Sequence, residues 1–204
     1  MTEKKKITQK EIKTLKTNQG RSRGMMIKSL EGYIFEKKGK KGLEAIEKRA
    51  KDLGYPFFFK KISAFRWYPV DFVFAVLLIT FEFFDWNKKE IFEIGYQAPI
   101  TSLFSKLILR SFTSLEKAFK ITARFWKGYT TSGDMKWTKY DLKKKFAVLK
   151  LSNSKSFKYP IIYEYMKGYL QRIMEITAKS KNVTVKVTKK MTNGDPFDEF
   201  TFTW

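Results

Sequence analysis

Two stretches decide the fold of this chain: Asn182-Val183-Thr184-Val185-Lys186-Val187-Thr188-Lys189 and Phe197-Asp198-Glu199-Phe200-Thr201-Phe202-Thr203-Trp204. Apolar and polar residues alternate in both, so each predicts a strand whose apolar side chains share one face. Those side chains are Val183, Val185 and Val187 in the first strand and Phe200, Phe202 and Trp204 in the second. Asn193-Gly194-Asp195-Pro196 lies between the strands, and an Asn-Gly pair favours the positive φ of a tight turn. The segment therefore predicts a tight β-hairpin that closes the domain.

The residues just before this hairpin predict a helix, and those before the helix predict a second hairpin. Pro160 stands where a helix begins, and apolar residues then recur at helical spacing to about Lys179. Residues 135–142 and 145–151 read as two strands, because the apolar period changes there. The C-terminal half therefore predicts a four-stranded antiparallel sheet with a helix between its two hairpins.

The N-terminal half predicts helices. One helical pattern opens at Gly24 and ends at Gly39, and a second follows over residues 41–53. Tyr68-Pro69 marks a boundary, since proline disfavours helix in the residue before it and is tolerated in the first turn. Residues 70–84 are apolar almost all round, but this run is shorter than the roughly 20 residues of a membrane span. We therefore expect a buried central helix there.

The remaining helical patterns complete the fold class. One starts near Asn87, and residues 99–129 predict one long helix or two. The chain thus predicts an α+β fold with N-terminal helices packed on a four-stranded antiparallel sheet, in the order helices–hairpin–helix–hairpin. A length of 204 residues suits one domain with a substantial core. We assign residues 23–204 to that domain and the polar, lysine-rich residues 1–22 to a flexible basic arm.

The composition excludes several kinds of chemistry. The chain has no cysteine and no histidine, so it can form no disulfide, no Cys/His zinc site and no His-ligated heme. Histidine-based catalysis and thiolate nucleophiles are excluded for the same reason. There is also no phosphate-binding loop and no dinucleotide-binding glycine pattern. We expect neither heme nor zinc as a cofactor, and a protein that is not an enzyme. The N-terminal lysines precede no apolar segment of the secretory type, which predicts a cytoplasmic location.

The formal net charge of +22 would draw the chain toward acidic lipid, nucleic acid or an acidic protein. Most of the basic residues are lysines, whereas arginine is the usual reader of bases and phosphates. Lysines crowd both predicted hairpins, with Trp137 and Tyr140 among them. Such a surface can bind single-stranded nucleic acid, or can serve only as a solvated sheet edge that discourages aggregation. The second interpretation is the favoured one.

Several short motifs, in their order along the chain, resemble those of one superfamily. They are the glycine-bounded helix from Gly24 to Gly39, Tyr68-Pro69 before an apolar helix, Gly168 in the last helix, and Gly194-Asp195-Pro196 followed by Phe200. The first is similar to the opening helix of heme-nitric-oxide-binding domains. The others resemble 4-vinyl-reductase-type domains, which share a superfamily with the small TRAPP vesicle-tethering subunits. The resemblance covers residues 24–204.

The chain departs from these relatives at their ligands. Met191 and Asp198 stand near the places where many 4-vinyl-reductase-type domains have cysteines, and no histidine is available as a proximal heme ligand. The acyl-cysteine of some TRAPP subunits is likewise impossible. What the resemblance implies is the fold, an apolar interior that holds a hydrophobic small molecule or lipid non-covalently, and a homodimer or another protein partner.

We predict an apolar pocket between the central helix and the sheet, with two tyrosine hydroxyls as its polar groups. Its candidate residues are Phe74, Leu77, Leu78, Phe81, Phe119, Phe125, Tyr165 and Tyr169. The alternative is a filled core without a ligand, in a TRAPP-like scaffold that binds a protein or an acidic membrane. A basic nucleic-acid-binding protein is the less favoured third interpretation.

Two acidic residues have both a functional and a structural interpretation. Glu82, at the end of the apolar helix, would anchor a ligand head group, or would be exposed or paired with a cation. Arg66, Arg110 and Arg124 are the candidate cations. Asp195 follows Gly194 and precedes Pro196, which favours turn chemistry over a metal or catalytic role.

Overall fold

The computed structural model describes residues 8–9, 20–101, 114–153 and 160–204. The described residues form helices α1 (Met25–Asp52), α2 (Val70–Phe83), α3 (Lys88–Thr101), α4 (Leu115–Tyr129) and α5 (Ile161–Ala178). They also form strands β1 (Arg21–Arg23), β2 (Trp67–Pro69), β3 (Asp134–Asp141), β4 (Phe146–Ser152), β5 (Thr184–Lys189) and β6 (Asp198–Thr203). The chain divides into two compact units, Met1–Asn87 and Lys88–Trp204.

Helix α1 of the first unit begins and breaks at glycines. Gly39 has φ +65° and ψ −169°, which confirms the predicted break between two helical segments. Gly24 precedes the helix, as predicted. A Cβ at Gly24 would overlap the carbonyl oxygen of Ser63 and lie 2.8 Å from the ring of Tyr68. The start of α1 therefore requires a residue without a side chain.

A short antiparallel pair precedes the central helix. Arg21 lies opposite Pro69 and Ser22 opposite Tyr68. The amide of Val70 donates to the carbonyl of Gly20 at 3.0 Å. Strand β1 thus includes Arg21 and Ser22, the last two residues of the predicted basic arm. Most of that arm lies outside the described residues, and the assignment of residues 23–204 to one domain stays a prediction.

Helix α2 confirms the predicted buried helix after Tyr68-Pro69. Its residues are buried from Val73 to Phe81. Thr80 is fully buried, and its hydroxyl donates to the carbonyl of Val76 at 2.8 Å, so its polar atom has a partner. None of the helices in the described ranges is long and apolar enough to cross a membrane.

In the second unit, helices α3 and α5 cross at two facing glycines. A Cβ on Gly95 would overlap the backbone carbonyl of Tyr165. A Cβ on Gly168 would overlap the carbonyl of Phe92 and lie 2.8 Å from the amide nitrogen of Tyr96. The two backbones can approach this closely only because neither position carries a side chain. The structure thus explains Gly168, and it adds Gly95, which the sequence analysis did not single out.

The second unit contains the predicted four-stranded antiparallel sheet, in the order β3-β4-β6-β5. Val185 pairs with Phe202, and Val187 with Phe200. Phe200 and Phe202 are almost fully buried, as the alternating pattern predicts. The element order is helices, hairpin, helix, hairpin, so the predicted α+β fold class is confirmed.

The connection between β5 and β6 is longer than the predicted tight turn, and that prediction was wrong. A single 3₁₀ turn occupies Met191–Asn193. Gly194 does take the positive φ that Asn-Gly predicts, at +91°. The loop is long because two carboxylates accept its backbone amides. Asp195 Oδ2 accepts from Lys190 N–H at 2.7 Å, and Asp198 Oδ1 from Met191 N–H at 2.8 Å. The turn role predicted for Asp195 is confirmed.

Candidate functional site

Three tyrosines come together where α4 ends beside α5. Tyr129 is the last residue of α4, and Tyr165 and Tyr169 lie one turn apart on α5. The rings of Tyr165 and Tyr169 stack with centroids 6.5 Å apart and an interplanar angle of 13°. We call these three residues the tyrosine cluster.

The tyrosine cluster is a group of neutral phenols. Burial raises the pKa of Tyr129 well above its ordinary value, and the neighbouring phenols Tyr165 and Tyr169 raise it further. Burial and then Tyr169 raise the pKa of Tyr165 well above the same value. Since the ordinary phenol pKa is about 10, both groups stay protonated near neutral pH. A protonated phenol is a hydrogen-bond donor without charge.

Helix α4 is held on strand β3 by aromatic and polar contacts. The ring of Phe119 lies 4.3 Å from that of Trp137, centroid to centroid. The indole N–H of Trp137 donates to the hydroxyl of Thr122 at 3.0 Å. The indole N–H of Trp126 donates to the carbonyl oxygens of Ser132 and Gly133, at 3.2 and 3.1 Å. These contacts position the end of α4, and hence Tyr129.

The structure places the predicted pocket residues in both units. Phe74, Leu77, Leu78 and Phe81 are buried on α2 of the first unit. In the second unit, Phe119 packs against β3, Phe125 is half-buried on α4, and Tyr165 and Tyr169 belong to the tyrosine cluster. That all eight line one pocket stays a prediction. Tyr129 was missed, although its position at the end of an amphipathic helix was visible in the sequence.

A polar network joins α3 to α5. The hydroxyl of Tyr96 donates to Glu175 Oε2 at 2.5 Å. Arg172 Nη1 donates to the same hydroxyl at 2.9 Å. The guanidinium of Arg172 also lies 4.8 Å from the centroid of the Tyr96 ring. Burial, followed by the hydrogen bond to Glu175, raises the pKa of Tyr96. The network adds to the contact that Gly95 and Gly168 permit. The sequence signal for it was the spacing of Arg172 and Glu175, three residues apart on a helix.

A buried carboxylate closes the last hairpin. Asp198 is fully buried, and its Oδ1 accepts from the hydroxyl of Tyr163 at 2.6 Å as well as from Met191. Burial raises the pKa of Asp198, although those hydrogen bonds lower it. Burial and then the bond to Asp198 raise the pKa of Tyr163 to about 12. The sequence pattern places Asp198 in the last strand but does not predict this role.

Comparisons with known proteins identify the fold. No family model and no curated protein matches the chain. Among solved structures, an H-NOX protein from S. oneidensis in the Fe(II)NO state superposes with a TM-score of 0.62 at 11% identity, covering 88% of this chain and 97% of that one. A mutant H-NOX from K. algicida superposes with a TM-score of 0.62 at 10% identity, covering 89% of this chain and 95% of that one. A mutant H-NOX from T. tengcongensis superposes with a TM-score of 0.55 at 15% identity, covering 88% of this chain and 94% of that one.

The chain has an H-NOX-like fold. This confirms the heme-nitric-oxide-binding part of the resemblance for the fold. At these identities the likeness says nothing about the ligand. The relations to 4-vinyl-reductase-type domains and TRAPP subunits stay predictions.

The first unit of this H-NOX-like fold contains the predicted ion pair of Glu82, with a different partner. Arg49 Nη2 lies 3.0 Å from Glu82 Oε1, and both side chains are mostly buried. Arg49 is on α1, so the pair joins α1 to α2. Of the cations predicted from sequence, Arg110 lies outside the described residues. The structural interpretation of Glu82 as a paired helix-end residue is the one the geometry supports.

The donor set in this H-NOX-like fold offers no metal centre of the common kind. Within the described residues, no group of three or more His, Cys, Asp or Glu side chains could hold a metal ion. The second unit brings together three phenols in the tyrosine cluster, of which Tyr165 is buried and Tyr129 and Tyr169 are half-buried.

Proposed function

We propose that this chain is a non-catalytic ligand-binding module, of a sensory or adaptor type, that holds a hydrophobic small molecule non-covalently. The observation that carries the proposal is the tyrosine cluster: three phenols close together, with the pKa of two of them raised well above its ordinary value. Apolar ligands bind in sites with apolar walls and a few placed polar groups. The H-NOX-like fold is consistent with such a role.

The cluster favours a ligand that accepts hydrogen bonds. A protonated phenol donates one hydrogen bond and bears no charge, so it can contact a carbonyl, ether or protonated carboxyl oxygen without burying a charge. In surroundings of low dielectric such a bond is stronger than in water. We therefore expect an apolar molecule with an oxygen-containing head group, such as a fatty acid or a quinone.

Heme does not fit the residues of this chain. The chain has no histidine or cysteine to ligate the iron. We therefore assign heme no role here. The prediction that the protein has no zinc cofactor is also unchanged.

Native mass spectrometry of freshly purified protein tests the proposal. We expect an extra mass that denaturation releases, and that solvent extraction identifies as an apolar molecule with an oxygen acceptor. Tyr169→Phe should lower its occupancy about fivefold to tenfold, because a lost hydrogen bond weakens binding by about 1–1.5 kcal/mol. Tyr140→Phe on β3 is the matched control, since it removes a phenol outside the cluster. Equal occupancy in all three proteins would exclude the cluster as the anchor.

A spectroscopic titration checks the protonation state on which this proposal depends. We expect the phenol of Tyr165 to ionise only when alkali unfolds the second unit, because burial raises its pKa. Tyr165→Phe should therefore reduce the phenolate absorbance that appears together with loss of circular dichroism. It should leave the absorbance that develops at lower pH unchanged. If Tyr165→Phe instead lowered the phenolate absorbance that develops before the protein unfolds, Tyr165 would ionise in the folded state. That result would contradict the neutral cluster.

A second candidate function rests on the lysines of the sheet. Lys150 and Lys189 both lie near the Phe197 ring, with ammonium nitrogens 3.9 and 4.6 Å from its centroid. Lys136 lies opposite Lys150 across β3 and β4, so two lysines are adjacent there, while Lys189 pairs with Glu199 at 3.8 Å. This favours a TRAPP-like interaction scaffold with an acidic protein partner or, as the weaker alternative, nucleic-acid binding. A clean mass without ligand would favour this candidate, and the same spectrum would test the predicted homodimer.

A further inference from the structure

The connection from α1 to β2 in the first unit combines aromatic rings and positive charge. We call residues 53–66 the aromatic loop; its sequence is Leu-Gly-Tyr-Pro-Phe-Phe-Phe-Lys-Lys-Ile-Ser-Ala-Phe-Arg. No acidic residue occurs between Asp52 and Asp71, so the cations of the loop have no acidic neighbours in sequence. A solvated connection usually consists of small polar residues. The composition of this loop therefore needs another explanation.

The aromatic loop is firmly attached to the first unit. Phe57, Phe59 and Ile62 are each less than 8% exposed. The rings of Phe57 and Phe59 meet edge to face with centroids 5.1 Å apart. The backbone amide of Phe59 donates to Glu47 Oε1 on α1 at 2.8 Å. These contacts hold the backbone of the loop in one conformation.

The far end of the loop is attached as well. The amide of Ser63 donates to the hydroxyl of Tyr68 at 2.9 Å. The carbonyl of Arg66 accepts from the amide of Gly24 at 3.1 Å, and the carbonyl of Phe65 accepts from the guanidinium of Arg23. The loop is therefore held at both ends, and what it exposes is set by the fold.

Two phenylalanines of this attached loop face solvent. Phe58 is 46% exposed and Phe65 is 54% exposed. Exposed cations stand beside them in the sequence: Lys60, Lys61 and Arg66. The ammonium nitrogen of Lys61 lies 5.1 Å from the ring centroid of Phe58. The structure thus presents exposed rings together with positive charge, on a backbone that hydrogen bonds attach to α1 and to Tyr68 of β2.

We propose that the aromatic loop docks the protein on the surface of an anionic lipid bilayer. The rings of Phe58 and Phe65 would enter the headgroup–acyl boundary, where apolar side chains leave water without spanning the bilayer. Lys60, Lys61 and Arg66 would lie at the level of the acidic headgroups, which attract juxtamembrane cations. Neither contribution alone holds a protein firmly on a membrane, whereas the two together do.

Lipid fits this surface better than single-stranded nucleic acid does. Proteins that bind single strands use a groove that tracks the backbone, with aromatic rings at successive base positions. The aromatic loop exposes two phenylalanines, Phe58 and Phe65, and between them in the sequence Phe59 and Ile62 are buried. Its cations are mainly lysine, the common residue of lipid-binding basic segments, whereas arginine is preferred for reading bases.

Vesicle co-sedimentation tests the proposal. The probes are vesicles of phosphatidylcholine with about 30% phosphatidylserine, and vesicles of phosphatidylcholine alone, in the range where the surface charge is substantial. We expect the full chain to bind the acidic vesicles. The double variant Phe58→Ser/Phe65→Ser should bind them with an affinity at least about tenfold lower. Each 1.4 kcal/mol of burial free energy that is lost weakens binding roughly tenfold. Lys60→Ser/Lys61→Ser should lower binding by roughly fivefold per lysine.

Phe35→Ser is the matched control. Phe35 is 58% exposed on α1 with Lys37 and Lys38 close in sequence, but it lies outside the aromatic loop. The control should bind like the unchanged protein, and circular dichroism with a thermal midpoint should show that all the variants fold. The proposal is overturned if the double phenylalanine variant binds acidic vesicles as tightly as the unchanged protein. It is also overturned if the phenylalanines matter only for a single-stranded oligonucleotide and not for vesicles. Neither result bears on the tyrosine cluster.

Discussion

Gly168→Ala should destabilise the second unit by about 3 kcal/mol or more, and Gly95→Ala should do the same. At each position the new methyl group would overlap a backbone carbonyl of the facing helix, that of Phe92 or that of Tyr165. A backbone atom cannot rotate away as the end of a side chain can, so α3 and α5 would have to separate. Separation would also weaken the hydrogen bonds between Tyr96 and α5.

Two other glycines provide controls for this result. At Gly32 on α1 and Gly128 on α4, an added Cβ would have no neighbouring atom within 4 Å, so alanine fits at both. Gly32→Ala should stabilise the chain by about 0.5–1 kcal/mol, because alanine is the better helix former. Gly128→Ala, next to a helix end, should change stability by less than about 0.5 kcal/mol.

Urea denaturation monitored by circular dichroism measures all four variants. If Gly168→Ala or Gly95→Ala unfolded at the same urea concentration as the unchanged protein, the close crossing of α3 and α5 would be wrong. A loss of similar size in Gly32→Ala would instead point to a general effect of the substitution.

Asp198→Ala should destabilise the second unit by about 2 kcal/mol, because it removes the acceptor of two hydrogen bonds. The hydroxyl of Tyr163 and the amide of Met191 would lose their bond to Oδ1. Asp198→Asn should cost less, since the amide oxygen can replace Oδ1 for both donors. The difference between the two variants isolates the hydrogen bonds from the charge.

The charge of Asp198 gives a pH dependence opposite to that of most carboxylates. Burial raises the pKa of Asp198 above its ordinary value of 3.8, so the folded state takes up its proton more readily than the unfolded state does. The stabilising contribution of this group is therefore fully present below about pH 4 and is lost as the pH rises through the raised pKa. Relative to Asp198→Asn, the unchanged protein should become more stable as the pH falls through that range.

Urea titrations of the two proteins at several pH values measure this difference. Asp134 acts in the other direction, since the hydrogen bond from Lys127 lowers its pKa, but it is common to both proteins and cancels. A stability difference that is independent of pH would show that Asp198 has the same pKa in the folded and unfolded states.

Some features of the described residues, 20–101, 114–153 and 160–204, could be predicted from the sequence alone. Helix boundaries at Pro69 and Pro160 follow from backbone constraints that act locally. Alternation in Val185, Val187, Phe200 and Phe202 places side chains on one face of a strand, whatever the strand packs on. The turn at Gly194 was predicted in its φ but not in its length. Its length depends on Asp198, whose carboxylate reaches the loop from the next strand.

The sequence by itself determined the α+β class, the order of its elements, the buried α2 and the absence of any histidine or cysteine ligand. Each of these follows from residues close together in the chain or from composition. Only the tertiary structure decided which residues meet: Tyr129 with Tyr165 and Tyr169, Arg49 with Glu82, Asp198 with Tyr163, and Gly95 with α5. These partners are distant in sequence and have no pattern of their own. Their meeting depends on how helices and strands cross, which side-chain shape and backbone approach settle together.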